Sequence, residues 1–240
     1  LYIGGKWLDG TSGKVLASIN PATGEKLGEV VWADDEDVNM AVEAAKKGFA
    51  EWRKVPLAER SVCLERLAQR ILDHAEELAI LDTYDSGNTV TGMRSDVKAS
   101  AETLKYFAGL VRELKGETFT NKPGHLNYTL RQPYGVVAKI NAFNHPFRFC
   151  AEKVAAPLVA GNSVIIKQPE QAPLSGLRFA ELSDGLFPPG VINVITGDAV
   201  AGSALVRHPE VRRIAFIGSV EPGRIIARAA ADAIKEVSLE

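Results

Sequence analysis

Cysteine is scarce in this sequence: Cys63 and Cys150 are the only two among 240 residues. Two cysteines cannot build a disulfide framework, so the chain is expected in a reducing compartment, most simply the cytoplasm. Long apolar runs are also missing. None approaches the roughly 20 residues that a helix needs to cross a bilayer, and no membrane association is expected. Residues Leu1 to Trp7 lack a basic leader followed by an apolar stretch, so no secretory signal is visible. Neither charge sign dominates: 28 basic and 30 acidic residues are interspersed, for a net charge of −2. Nucleic-acid binding, which calls for a basic face, is therefore disfavoured. His74, His125, His145 and His208 are too scattered for a metal centre, and neither H-E-x-x-H nor a paired C-x-x-C occurs. The G-x-S-x-G elbow of serine hydrolases and the G-x-G-x-x-G dinucleotide fingerprint are absent too. What is there is a chain with 46% hydrophobic and 24% charged residues, enough to bury a proper core.

The pattern along the chain divides it into three stretches. Residues 1–115 read as short β-like runs followed by helices. The turn Asn20-Pro21-Ala22-Thr23-Gly24-Glu25 lies among the first. Asp34-Asp35-Glu36-Asp37 then opens a helix, because acidic side chains favour the positive end of the helix dipole. Val38, Ala41, Val42, Ala45 and Phe49 recur at three- and four-residue steps and mark its apolar stripe. Further helical patterns cover 57–83 and 94–114, separated by a break at Gly87-Asn88. Residues 116–134 read as a hairpin, with β-formers on either side of Lys122-Pro123-Gly124-His125. It is either a subunit-contact element or a plain surface hairpin.

From 135 to 240 the alternation is regular. Short apolar runs at 135–140, 163–166, 191–195, 213–217 and 237–239 are separated by helix-like stretches at 146–160, 173–185, 199–207 and 222–234. Strand alternating with helix predicts an α/β fold: a Rossmann-like parallel five-stranded sheet with helices on both faces. It is preceded by the N-terminal helical region and the β-hairpin.

Ligands of such sheets bind beyond the carboxyl ends of the strands. That edge should gather Asn141 to Pro146, Lys167 to Glu170, Thr196 to Asp198, Gly218-Ser219 and the terminal Glu240. Gly218 would let backbone approach a phosphate and Ser219 would add a hydroxyl beside free helix N–H groups. An ordinary capped helix start accounts for the same residues. Lys167 and Glu170 could hold a ribose diol, or form a solvated ion pair on a loop. The amide of Asn144 could donate to a developing oxyanion, or cap a turn. Glu240 could act as a general base, or be no more than a charged terminal residue. Cys150, on the apolar helix after Asn144, reads as a packing residue.

Taken in order, these motifs resemble those of the aldehyde dehydrogenase superfamily along essentially the whole chain. The resemblance is carried by Asn20-Pro21-Ala22-Thr23-Gly24-Glu25, Phe143-Asn144-His145-Pro146, Lys167-Gln168-Pro169-Glu170, Pro188-Pro189-Gly190-Val191, Phe216-Ile217-Gly218-Ser219 and the final Val237-Ser238-Leu239-Glu240. It implies NAD as cofactor, with NADP as the alternative, and an aldehyde as substrate. Lys167 and Glu170 would hold the adenosine ribose. Phe216, Gly218 and Ser219 would line the phosphate and nicotinamide side. Ile140, Ala142 and Phe143 would line the groove beside Asn144, and Gly202 would lie near the adenine. Asn144 would stabilise the oxyanion and Glu240 would activate the deacylating water. Phe107 would lie near the substrate tunnel. Position 168 is Gln where the family commonly has Pro, 143 is Phe where Trp is common, and 217 is Ile where Thr is usual.

In the family a nucleophilic cysteine follows the glutamate by a few dozen residues, and neither Cys63 nor Cys150 has that context. The expectation is a cofactor-binding front portion that is inactive alone, from an enzyme that assembles as a homo-dimer or homo-tetramer. The competing readings are an acylating, coenzyme A-dependent relative and a catalytically inactive dinucleotide-binding scaffold.

Overall fold

The computed structural model describes residues 1–240. Its elements, in chain order, are β1 (Tyr2–Ile3), β2 (Lys6–Trp7), β3 (Val15–Ile19), β4 (Lys26–Val31), α1 (Asp35–Trp52), α2 (Leu57–Asp73), α3 (Ala75–Ser86) and α4 (Val90–Gly109). A 3₁₀ turn at Leu110–Glu113 leads to β5 (Thr118–Phe119) and β6 (Asn127–Tyr128). Then come β7 (Val136–Ile140), α5 (Pro146–Glu152), α6 (Ala155–Val159), β8 (Ser163–Lys167), α7 (Leu174–Ser183), β9 (Ile192–Ile195), α8 (Ala199–Arg207), β10 (Val211–Phe216), α9 (Val220–Ala231) and β11 (Glu236–Leu239).

The five expected parallel strands run from one edge of the main sheet in the order β11-β10-β7-β8-β9. Two short N-terminal strands extend it: β1 pairs antiparallel with β9, and β2 pairs with β1, so the sheet has seven strands. The expected hairpin is there as β5 and β6, whose Phe119 and Tyr128 are exposed.

Strand side chains alternate between two cores, as period-2 geometry requires when both faces are covered. On one face Val137, Val164, Ile166, Ile192 and Val194 pack with Leu64, Leu67, Leu104, Phe147 and Phe179 of the helical layer. On the other, Val136, Ala138, Ile140, Ile165 and Ile214 pack with Val38, Ala41 and Val42 of α1 and with Leu205 and Ile226. No helix is long and apolar enough to cross a membrane.

The acidic start of α1 is a capping box. Asp34 accepts from the N–H groups of Glu36 and Asp37, while Asp37 reaches back to the Asp34 N–H at 3.1 Å. The buried stripe of α1 runs through Val38, Ala41, Val42 and Ala45 and continues to Gly48 and Trp52, with Phe49 only half-buried. Gly48 is buried because α1 lies directly on the turn at Gly190: a Cβ on Gly48 would sit 2.3 Å from the Gly190 carbonyl carbon.

Four helix boundaries differ from the periodicity. The pattern at 57–83 breaks at His74 into α2 and α3, and α4 starts early, at Val90, behind the cap Thr89. The stretch at 146–160 divides into α5 and α6 because Pro157 has no N–H and its ring would meet the carbonyl of Lys153 in a continuous helix. Helix α9 begins at Val220, so Pro222 falls within its first turn.

Candidate functional site

Register places one row of residues at the carboxyl ends of the strands. Leu239, Phe216, Ile140, Lys167 and Ile195 are successive partners across β11, β10, β7, β8 and β9. Beyond this row, between the strand ends and helices α8 and α9, lies a groove of about 420 Å³. Ile140, Ala142 and Phe143 form its floor and one lip, Lys167 and Glu170 one wall, and Phe216, Gly218, Ser219 and Gly202 the others. The residues expected to contact a cofactor thus share one groove, except Asn144.

Each wall has a local cause. Glu170 stands over Lys167, with Lys167 Nζ 3.6 Å from Glu170 Oε2. The lysine stem is buried as the last residue of β8, which lowers the ammonium pKa, and the Glu170 carboxylate opposes that shift. Ser219 caps α9 in extended backbone conformation, makes no side-chain cap hydrogen bond, and lines the groove together with Pro222 of the first turn, a residue that has no N–H. Gly218 lies against the ring of Phe216, 2.5 Å from Cζ to where its Cβ would be. Its N–H donates to the Glu240 carbonyl at 3.1 Å, and the Ile217 N–H donates to Ile140 at 3.0 Å.

The remaining expected residues lie elsewhere. Asn144 is exposed on the loop after β7, outside the groove, and its carbonyl accepts from Asn88 Nδ2 at 2.8 Å. Glu240 directly follows β11; its carboxylate is 61% exposed and lies 3.0 Å from Lys153 Nζ. Lys153 also lies near Glu152, at 3.8 Å. On this helical face of the sheet Lys139 is half-buried beside Arg213 and Lys153. Cys150 is fully buried and its thiol is pushed well above its ordinary pKa by burial, while Cys63 is partly buried and raised for the same reason.

The structure gives particulars to residues that the sequence pattern either placed at this edge without a role or did not single out. Asn141 lines the groove, and its Nδ2 is buried with no hydrogen-bond partner in the chain. Asp198 caps α8, accepting from the Val200 N–H at 2.7 Å, and also lines the groove. Two carboxylates three residues apart on α3 secure the segments that carry the site. Asp82 accepts from the Phe147 N–H at the start of α5, and Asp85 accepts from the Leu174 N–H at 2.7 Å at the start of α7. Acidic residues at apolar-stripe positions were the available signal, since a buried carboxylate needs partners.

Comparison with known proteins agrees with this geometry. The aldehyde dehydrogenase family matches residues 7–240. The chain is 45% identical over 246 aligned positions to aldehyde dehydrogenase tropH of Talaromyces stipitatus, covering 100% of this chain and 47% of that protein. It is 40% identical to a betaine aldehyde dehydrogenase of Vibrio vulnificus, covering 100% of this chain and 50% of the relative. Among solved structures, PnpE from Pseudomonas sp. WBC-3 superimposes with a TM-score of 0.97 at 39% identity, over 100% of this chain and 50% of that one. An aldehyde dehydrogenase from Bacillus cereus, solved as its NAD+ complex, gives 0.97 at 36% identity, over 100% of this chain and 50% of that one. The chain spans about half the length of the relatives it matches. With its parallel sheet, its groove beyond the strand ends and its ordered motifs, the chain belongs to the aldehyde dehydrogenase family.

Proposed function

We propose that this chain provides the dinucleotide site of an enzyme that oxidises an aldehyde to a carboxylic acid with NAD(P). The single observation that carries the reading is the groove, where Lys167, Glu170, Gly218 and Ser219 converge on the edge at which parallel sheets bind nucleotides. The donor set fits a dinucleotide. Glu170 and Lys167 match a ribose diol, and the Ser219 hydroxyl with the close backbone approach at Gly218 matches a phosphate. The unpartnered amide of Asn141 is a buried donor that awaits an acceptor. The Glu170 carboxylate would repel a 2′-phosphate, which favours NAD over NADP.

When bound, the dinucleotide accepts the hydride that aldehyde oxidation releases. The residues of this chain do the rest of what can be assigned. The Asn144 side-chain amide donates to the developing oxyanion of the aldehyde. Its loop is fixed by the Asn88 hydrogen bond to the backbone rather than by any contact that would occupy the amide. Glu240 takes a proton from water for the hydrolytic step, and Lys153 holds that carboxylate. Neither cysteine is the nucleophile, since both thiols are raised by burial and neither lies at the groove. The thiolate must therefore come from outside residues 1–240, and these residues alone do not turn over aldehyde. The exposed hairpin residues Phe119 and Tyr128 fit a contact with a second copy of the chain, and the two free cysteines fit a reducing cytoplasm.

Calorimetric titration with NAD and NADP tests the reading. Saturable NAD binding that weakens in E170Q, together with tighter binding of NAD than NADP, is expected. Absence of saturable binding of either dinucleotide at millimolar concentration would sink it.

A further inference from the structure

The loop after β7 carries a polar pair that the dinucleotide groove does not use. His145 adjoins Asn144, and its Nδ1 lies 2.5 Å from Asp96 Oδ2. The Asp96 side chain is 7% exposed and that of His145 is 41% exposed. The other oxygen of Asp96 receives Arg148 Nη1 at 3.3 Å, and Arg148 Nε donates to Glu152 at 2.7 Å. Across the imidazole, Phe149 packs edge-on with ring centroids 5.7 Å apart. The ring is thus fixed by a carboxylate on one side and by an aromatic edge on another. Its Nε2 makes no hydrogen bond within the chain.

This arrangement determines what the free nitrogen can do. An ionised carboxylate only accepts, so Nδ1 must carry a proton to bond with it. In the tautomer that carries its proton on Nδ1, the imidazole presents a lone pair at Nε2, as an acceptor, one residue from the amide donors of Asn144. We infer that His145 recognises a hydroxyl group on the aldehyde, with Asp96 as the positioning residue that fixes its tautomer, so that the site selects hydroxylated aldehydes over unsubstituted ones of similar size. This rests on the proposed aldehyde oxidation. The physical basis is asymmetric. A substrate that covers Nε2 without supplying a hydroxyl leaves the acceptor unpaired, whereas an apolar wall could discriminate only by volume. Arg148 does not compete for the role, because Asp96 and Glu152 already engage its guanidinium.

The test compares kcat/KM of the full-length protein for benzaldehyde, its three monohydroxy isomers and the matching methoxy ethers, which keep the bulk but lose the donor. At least one hydroxy isomer is expected to exceed both controls by roughly tenfold or more, the worth of one well-placed hydrogen bond. H145F should erase that ratio, and H145Q, which restores an acceptor, should recover part of it. In ¹⁵N spectra of histidine-labelled protein His145 should be the Nδ1–H tautomer, and D96N should shift it toward Nε2–H. Oxidation of all the aldehydes with no hydroxyl preference, or a preference unchanged in H145F, overturns the inference and leaves aldehyde oxidation standing. An Nε2–H tautomer in the unmodified protein overturns it whatever the activity. Failure to oxidise any aldehyde overturns both readings.

Discussion

The Asp82 carboxylate accepts a hydrogen bond from the Phe147 backbone N–H at 3.1 Å, so a buried acid on α3 anchors the first turn of α5 and the loop bearing Asn144 and His145. Burial pushes the Asp82 carboxyl up to about 7, against the opposing hydrogen bond from the Phe147 N–H. The folded state therefore holds a proton that the unfolded chain releases near pH 4. Stability contributed by this group is present at low pH and is lost as pH rises from about 4 to about 7. At about 1.4 kcal/mol per unit, the loss is on the order of a few kcal/mol. D82N keeps an acceptor for Phe147 and cannot ionise. Urea melts at about pH 4.5 and about pH 7.5 should show a drop in the unmodified protein that D82N lacks. An identical slope in both would mean that Asp82 ionises normally.

Lys139 supplies the opposite case. Burial, reinforced by Arg213 and Lys153, brings its amine down to about 8, with Glu240 opposing. Its depressed pKa means that the folded state disfavours the ammonium, so the group destabilises below about 8 and ceases to do so as pH approaches the ordinary lysine value. K139M should melt higher than the unmodified protein at neutral pH, by about 1–2 kcal/mol, with the gap closing above pH 8. A lower melting temperature for K139M would show that the ammonium has a stabilising partner.

At Gly48 the constraint is steric. A Cβ there would lie 2.3 Å from the Gly190 carbonyl carbon and 2.4 Å from the Val191 nitrogen, and both are backbone atoms that cannot rotate away. G48A should cost about 3 kcal/mol or more by forcing α1 off the sheet. Denaturant midpoints and soluble yield would reveal it, and a loss below 1 kcal/mol would contradict the packing.

Gly218 tests the groove rather than the core. Its Cβ would reach 2.5 Å from Phe216 Cζ, and Phe216 is a groove wall at 8% exposure. G218A should displace that ring and weaken NAD binding by roughly tenfold, about 1.4 kcal/mol, while shifting the melting temperature much less than G48A does. Unchanged affinity would remove the Gly218–Phe216 wall from the dinucleotide site.

Much of the framework was legible from residues alone. Alternating short β-branched runs and helical patterns after Gly135 specify parallel strands covered on both faces, because period 2 and period 3.6 burial leave distinct marks in sequence. Asp34 to Asp37 specified a helix start, and Gly87 a helix end, which it makes with φ +77°. The residues that converge on the groove were nameable because a parallel sheet gathers its strand ends along one edge. The break at Lys153 was missed although Pro157 signalled it.

Tertiary structure alone decided the rest. Only the fold shows that β1 and β2 join the sheet edge at β9, since two-residue strands carry no periodicity. Only the fold separates Asn144 and Glu240 from the groove and sets Glu240 beside Lys153, 87 positions away in the chain. Asp82, Asn88 and Asp96 are ordinary polar residues of a helical region until packing brings them to the loop at 144–148. The reason is physical: periodicity records which face of an element is buried, whereas a hydrogen bond between distant residues depends on which element lies opposite, and local sequence carries no record of that.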